Sequence, residues 1–536
     1  MQPSTPVHSQ HDAAHLEART TAHNGIPMYS IDHPGVCAMS LVFGVGSRDE
    51  VPTQAGITHL VEHVLLRLVQ PVRIAHGGVV GTNAVEFFAA GPAADVAAFV
   101  NAIAREIRSV SSLDAAELKR EKLVIEAEDV GGYANPRPGL LTYRFGADGL
   151  GRAYGAPTTG ALTLEETVAW AERWLLAGNA VLTCLGAVPD ELDVRLPGAL
   201  GTPAHAPAIE SPVAPVASVL PVAPGGAATP RLIASRKQGV GISLCVPAAR
   251  AGMLGEALRV ELLERLRHRS GLIYSVEVFP TRVDELVVQL DVVLDPLLRN
   301  VVPVTLQAVV ALTDLAERGF SSDAIASARL IAMMDLDWEA SAAAAHLEQL
   351  AVDHLRGWTT PDRAKVRELT DSVSPDDLTA VFAAALPSLI VAFDDDVDFT
   401  RTERAQLGLP IDPFALWNAV GVSTRRPPRS KRAGTGARGR TGARRGWRSR
   451  SGDAVLWLTG GRVLRRRAGS TTSFRLRDVV LLGVRPCGCL VVVDRWGRTD
   501  DIATEEWKHG TSLRKALIAA LGEVLSFDVV RAFPVD

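Results

Sequence analysis

The sequence predicts an α+β protein: two homologous α/β-sandwich domains in tandem, followed by a small β-rich module with a terminal helix. Three observations lead there. Strand-like and helix-like apolar patterns alternate over about 20–195 and again over about 239–393, and both stretches close on a helix followed by a strand, as an internal duplication would give. An Ala/Pro/Val-rich and nearly uncharged segment at 203–230 separates them, with the composition of an extended tether. A third strand-rich pattern follows a run of basic residues near the C-terminus. The expected segments are a first domain at 15–200, a linker at 201–232, a second domain at 233–415, a basic linker at 420–452 and a small module at 453–536.

In chain order, 41–45 reads as a buried strand, 46–52 as a turn and 56–66 as an apolar helix. An acid-rich helical stretch follows at 118–130, then a helix at 164–175 and a strand at 180–185. The second domain repeats the layout, with strands at 239–246 and 286–293 around a helix at 253–269. Long helices are expected at 296–318 and 322–356, then the closing helix at 375–385 and strand at 388–393. In the last module, Gly460-Gly461 between 455–458 and 462–465 marks a hairpin, and 489–494 a further strand. A closing amphipathic helix at 512–525 has Ser512 as its expected N-cap. Strands followed by one helix resemble a pleckstrin-homology-like module, an architecture that names no ligand.

At 536 residues and 47% hydrophobic content the chain is too long for one domain and can bury sizeable cores. Its five cysteines, Cys37, Cys184, Cys245, Cys487 and Cys489, are odd in number and scattered, which excludes the disulfide framework of a small secreted scaffold. Cys487-Gly-Cys489 lacks the second pair a structural zinc site needs. The first residues lack a basic and then apolar leader, and no apolar run reaches about 18 residues, so a cytoplasmic location is expected. The net charge of −4 averages unlike parts: 425–450 holds 11 Lys or Arg and no acid, which leaves −15 for the remainder. Rich in Gly, Pro and Ser, that stretch is expected to be disordered. Such a cationic segment can bind nucleic acid or anionic lipid by counterion release, but with only Trp447 as an interleaved aromatic it is read as a solvated tether or a contact to the acidic body.

The chemistry is concentrated in His59-Leu-Val-Glu62-His63. On a helix, positions four apart lie one turn apart on one face, so both imidazoles can reach one metal ion. Glu62 shares that face, where a carboxylate that is not a ligand can take a proton from water activated by the metal. The order H-x-x-E-H is the inverted zincin signature. A third protein ligand is required, and Glu128 is assigned to it. Glu121 lies seven residues earlier on the same helix face and would orient a ligand by hydrogen bonding, whereas Glu126 projects elsewhere.

These residues, together with Asn24-Gly-Ile-Pro27, Gly46-Ser-Arg-Asp-Glu50, Gly56-Ile-Thr58 and 121–128, resemble the pitrilysin/insulinase metallopeptidases, which include the mitochondrial processing peptidase. The resemblance spans about 15–400. It implies two metallopeptidase-type domains, zinc held by His59, His63 and Glu128, and water activated by Glu62. An arginine seven residues before a tyrosine in a later domain matches Arg267 and Tyr274, which would steady the oxyanion of a peptide substrate. Read from the residues alone, 267–274 is a helix end, a Gly271 stop and a strand start. One departure is evident: the segment between His63 and Glu128 is short, and the family's Asn-Ala-x-Thr strand survives only as 81–88. Part of the substrate-lining strand is therefore expected to be missing, with Asn83 and Ala84 either pairing with substrate backbone or forming a turn.

The resemblance implies a clamshell of four domains, of which this chain carries two, so a homodimer or a heterodimer with a related chain is expected. The function implied is a zinc-dependent endopeptidase acting on extended peptides or leader segments inside a dimeric chamber. The alternative is a non-catalytic peptide-binding or scaffold subunit of a heterodimeric peptidase, whose usual sign is a damaged metal motif.

Overall fold

The computed structural model describes residues 17–35, 37–70, 72–129, 135–154, 158–199, 230–235, 239–337, 339–394, 396–412, 445–467, 470–485, 487–522 and 530–532. Of the linker expected at 201–232, residues 201–229 lie outside them, as does the basic segment up to 444, whereas a strand already begins at Arg231. The first sheet consists of β1 (Arg19–His23), β2 (Ile26–Ile31), β3 (Cys37–Phe43), β4 (Ala75–Val80), β5 (Val85–Gly91) and β6 (Ala180–Leu185), in the order β1-β2-β6-β3-β5-β4. Helices α1 (Ile57–Leu68), α2 (Ala93–Arg108), α3 (Ala115–Asp129), α4 (Arg137–Phe145) and α5 (Leu164–Trp174) accompany it.

A second six-stranded sheet is built from β7 (Arg231–Ser235), β8 (Val240–Pro247), β9 (Val276–Arg282), β10 (Val287–Leu294), β11 (Ile390–Asp394) and β12 (Ile411–Asp412), in the order β12-β7-β11-β8-β10-β9. Its helices are α6 (Ala248–Leu262), which continues as a π-helical turn through 263–269, then α7 (Val301–Arg318), α8 (Ser322–Asp337), α9 (Glu339–Arg356), α10 (Arg363–Asp371), α11 (Pro375–Ala385) and α12 (Arg401–Leu407). Five strands of each sheet pair identically. β2 runs parallel to β6 as β7 does to β11, and the other junctions among these strands are antiparallel. This repeated pairing is the pattern an internal duplication leaves. The outer strand differs, because β1 precedes its sheet in sequence whereas β12 follows its own.

Both faces of the inner strands are covered, so β6 and β10 bury every residue, including Gln289 of β10, whose side-chain amide donates to the Asp291 carboxylate at 2.8 Å. One face of the first sheet takes helices of its own half, with Val96, Phe99 and Ile103 of α2 in the same cluster as Leu41, Phe43 and Phe87. The other face takes α9 from the second half. Ala343 and Leu347 join Ile31 and Leu185, while Ala351 and Leu355 join Val42 and Val181. The exchange is reciprocal, since α4 of the first half lays Leu140 and Tyr143 on Ile233, Ile390 and Ala392 of the second sheet. α7 is long and apolar enough by composition to cross a membrane, yet Val301, Val304, Ala308 and Leu312 are buried in the second core.

The last part of the chain folds as two four-stranded sheets and one helix around a single apolar cluster. One sheet has the order β13 (Arg445–Arg448), β14 (Ala454–Thr459), β15 (Arg462–Arg467), β16 (Ser470–Arg475). The other comprises β17 (Val479–Val484), β18 (Leu490–Asp494), β19 (Thr499–Ile502) and β20 (Val530–Ala532), with α13 (Gly510–Gly522) against them. Three expectations are corrected here. Residues 445–450, expected in the disordered basic linker, form β13 and the turn after it, because Trp447 points inward and is only 6% exposed. The helix begins at Gly510, right after His509 in a left-handed conformation (φ 62°), so Ser512 is not its N-cap. The helix is also not the terminal element: β20 returns beside β17 in parallel.

Candidate metal centre

The first half positions α1 by its start. Gly56 adopts φ 86°, a left-handed conformation that glycine enters without a Cβ penalty. The buried Glu50 carboxylate then accepts the N–H groups of Gly56 (2.8 Å) and Thr58 (3.0 Å), two of the donors a helix N-terminus leaves unpaired. Burial raises the Glu50 carboxyl above its ordinary value, against the pull of those donors and of Arg152. Leu60, Val61, Val64 and Leu65 sink into the first core and fix the rotation of α1, which turns His59 and His63 away from it.

The two imidazoles meet edge to face, with ring centroids 4.6 Å apart and Nε2 atoms 3.1 Å apart. From α3, Glu128 Oε2 stands 3.8 Å from His59 Nε2 and 3.5 Å from His63 Nε2. A triangle with those three sides has a circumradius of about 2.0 Å, which matches the bond lengths zinc makes to nitrogen and carboxylate oxygen. Glu62 Oε2 lies 3.8 Å from each Nε2, so a second carboxylate borders the same point. His59, Glu62 and His63 group tightly enough to hold a metal ion. Glu121, also on α3 and buried, has Oε2 3.6 Å from His63 Nδ1, the ring nitrogen facing away from the cluster. Arg67 closes the chain of charges, with Nε 4.0 Å from Glu121 and 3.8 Å from Glu117.

Glu62 and Glu128 are set apart by their surroundings. The Glu128 side chain is half exposed, whereas that of Glu62 is 6% exposed. Burial, and then the negative charges of Glu128 and Glu121, push the Glu62 carboxyl up to about 7. Its cover is β4: a Cβ on Gly78 would lie 2.2 Å from Glu62 Oε1 and 2.6 Å from its Cγ. Gly77 likewise leaves room for the Phe88 ring, which would stand 2.8 Å from a Cβ at that position. Sequence reasoning missed this strand. Gly77-Gly78 inside an extended segment was its signal, since glycine in a strand marks a close backbone approach.

The structure corrects the expectation that part of this edge is missing. β4 is a full six-residue edge strand, paired on one side with β5, and its other side carries no strand among the described residues. Asn83 and Ala84 sit instead at the tip of the β4–β5 hairpin, and their backbone carbonyls are engaged. Asn83 O accepts from Arg356 Nε at 3.0 Å and Ala84 O from Gly81 N–H at 2.9 Å, while Arg48 donates to Asn83 Oδ1 at 2.9 Å. The tip borders a cavity of about 420 Å³ between the two sheets, closed on the far side by Thr281, Arg282, Glu348 and Trp358.

Arg267 and Tyr274 are brought together with each other and not with the histidines. The Arg267 guanidinium carbon lies 4.9 Å from the centre of the Tyr274 ring, and Tyr274 is 73% exposed. Gly271 (φ 62°) ends the helix between them by donating its N–H to Arg267 O, and Asp295 accepts the N–H of Tyr274 at 2.8 Å.

No protein-family model and no curated protein matches this sequence. Solved structures do match in fold. A chain of Complex III2 from Candida albicans has a TM-score of 0.54 at 15% identity, covering 73% of this chain and 99% of that one. A protease from Helicobacter pylori gives 0.52 at 15% identity over 70% of this chain and 98% of its own. A protein described as an M16-like peptidase, from Alicyclobacillus acidocaldarius, gives 0.51 at 15% identity over 70% and 97%. The α+β fold is that of M16-like two-domain peptidases.

Proposed function

We propose that this chain is a zinc-dependent endopeptidase acting on extended peptides. The single observation that carries the reading is the convergence of His59 Nε2, His63 Nε2 and Glu128 Oε2 on one point at ligand distance, with Glu62 bordering it. His59, His63 and Glu128 would hold the ion, and Glu121 would fix the His63 ring through Nδ1. Bound zinc polarises a carbonyl and lowers the pKa of water.

The remaining work falls to the chain. The Glu62 carboxylate, bordering the ion without holding it in this reading, would take a proton from the attacking water and return it to the leaving amine. The open side of β4 offers backbone N–H and C=O groups to an extended peptide, which would then run directly over Glu62 because Gly78 carries no side chain. Selectivity for extended chains follows from that pairing.

Arg267 and Tyr274 stand apart from this cluster, and the exposure of Tyr274 supports their delivery to the site of a second copy or of a related chain across a dimer. A non-catalytic scaffold subunit is the second reading, favoured by the likeness to a chain of Complex III2. Metal analysis of the purified chain, alongside cleavage of a fluorescence-quenched peptide with and without chelator, separates the two. Stoichiometric zinc with cleavage that chelator abolishes supports the peptidase; a metal-free, inert chain overturns it.

A further inference from the structure

Among the described residues, the outer face of the β13–β16 sheet carries four arginines and no acid. In cross-strand register, Arg448 lies opposite Val455 and Val455 opposite Arg466; Gly446 faces Trp457 and Trp457 faces Leu464; Thr459 faces Arg462 and Arg462 faces Arg475. The alternate residues, Trp447, Leu456, Val463 and Phe474, fill the core beneath. Among the described residues, none of Arg448, Arg462, Arg466 and Arg475 has an ion-pair partner, whereas Arg465 and Arg467 on the same strand pair with Asp500 and Asp453. Like charges directly opposite one another destabilise a sheet, so the Arg462 and Arg475 pair carries a cost that folding alone does not explain.

Two further features share this face. At its hairpin end, Gly460, Gly461, Arg462, Arg475, Leu476 and Arg477 line a cavity of about 630 Å³ that reaches round the sheet edge to Ala520 of α13 beneath it. In its middle row the Trp457 indole lies across Gly446, where a Cβ would come within 2.8 Å of the ring. Arg466 and Arg462 are four residues apart on β15, about 13 Å, one on each side of the indole's row.

We propose that this face binds single-stranded nucleic acid, with one base stacked on Trp457 and phosphates held by Arg448 and Arg466 on one side and by Arg462 and Arg475 on the other. A cationic surface that tracks a backbone, with an aromatic platform for bases, is the general physical solution for sequence-tolerant binding of single strands. Trp457 lies within a sheet face and not on a projecting loop, which favours a stacked base over insertion into a bilayer.

The test uses the full chain and fluorescein-labelled oligothymidylate and oligouridylate of about 12 nucleotides, followed by anisotropy between about 50 and 200 mM salt. The expected result is binding that weakens steeply with salt. Replacing Arg462 and Arg475 together by Ala lowers the log–log salt slope by about 1.4, as for two lost phosphate contacts. Trp457→Ala weakens binding about tenfold or more and Trp457→Phe restores it, which separates stacking from misfolding. Absence of binding at the lowest salt overturns the proposal. So does binding that neither variant alters, which would place the contact on 425–444, and so does capture by phosphatidylserine vesicles without any oligonucleotide binding.

Discussion

Gly78 and Glu62 occupy one another's space: a methyl group on Gly78 would sit 2.2 Å from the Glu62 carboxylate oxygen. The strand whose edge would take a peptide and the carboxylate that would move the proton are thus held in one register by a missing side chain. Gly78→Ala is expected to swing Glu62 aside and lower kcat/KM about 100-fold or more. Bound metal should stay close to wild type, because His59, His63 and Glu128 are untouched, while the melting temperature should fall, because the clash reaches Cγ of a buried side chain. Peptide cleavage, metal content and calorimetry on the one variant test this, and unchanged kcat/KM refutes it.

The two carboxylates beside the histidines should separate by substitution. Glu62→Gln is expected to retain zinc and lose activity by about three orders of magnitude, while Glu128→Ala loses the metal itself. Glu121→Gln should weaken zinc affinity about 10- to 100-fold by releasing His63 Nδ1. Zinc titration against a chromophoric chelator reads all three, and a Glu62→Gln chain devoid of metal would reverse the assigned roles.

Glu62 also makes the metal-free protein sensitive to pH. Its folded value, about 7, lies above the ordinary carboxyl value of 4.5, so between those limits the native state binds more protons than the unfolded chain. Stability therefore falls as pH rises from about 4.5 to 7 and levels off above, by at most about 3 kcal/mol from this group. Melting curves of chelator-treated protein across that window should show the decline, and Glu62→Gln should flatten it. Identical slopes in the two proteins would rule out Glu62 as the source.

Asp49 and Arg356 join the halves through a charge pair. Arg356 Nη2, on α9, lies 2.8 Å from Asp49 Oδ2, with the Asp49 side chain 3% exposed. Arg356→Ala removes the guanidinium from that carboxylate, leaving it the Gly46 N–H at 2.9 Å, and also releases Asn83 O, and should cost about 1–3 kcal/mol. Asp49→Asn alone should cost less, because the amide keeps a polar partner. Denaturant unfolding of both variants and of the double variant measures the coupling.

Sharing of sites between protomers has a direct readout. A Glu62→Gln chain and an Arg267→Ala chain, each inert, should regain part of wild-type activity when mixed if each supplies what the other lacks. No recovery under conditions where mixed dimers form would place Arg267 in the same protomer's chemistry or outside it.

Local patterns in the chain carried much of this. His59 and His63 four apart in an apolar helix, and Glu121 and Glu128 seven apart in another, state the facing sides of α1 and α3 directly, because helical period alone decides them. Long-range placement was not legible in the same way. β4 hid in Ala75-His-Gly-Gly-Val-Val80, whose strand character comes from pairing with β5 and not from its own residues. Asn83 and Ala84 matched a strand motif by identity but fell at the hairpin tip, where Arg356 from a distant helix takes up the carbonyl of Asn83. Trp447 belonged to a basic run by composition, yet the core under β13 drew it inward. The partners of α4 and α9 are set by tertiary packing that no local period encodes.

Because α4 roofs the second sheet while α9 roofs the first, the two halves are interlocked like clasped hands. Severing the backbone anywhere between 201 and 229 should leave the fragments associated and melting as one cooperative unit. If the chain encloses a peptide together with a partner, as proposed, the opening would lie between the two molecules and not at a hinge between these two halves.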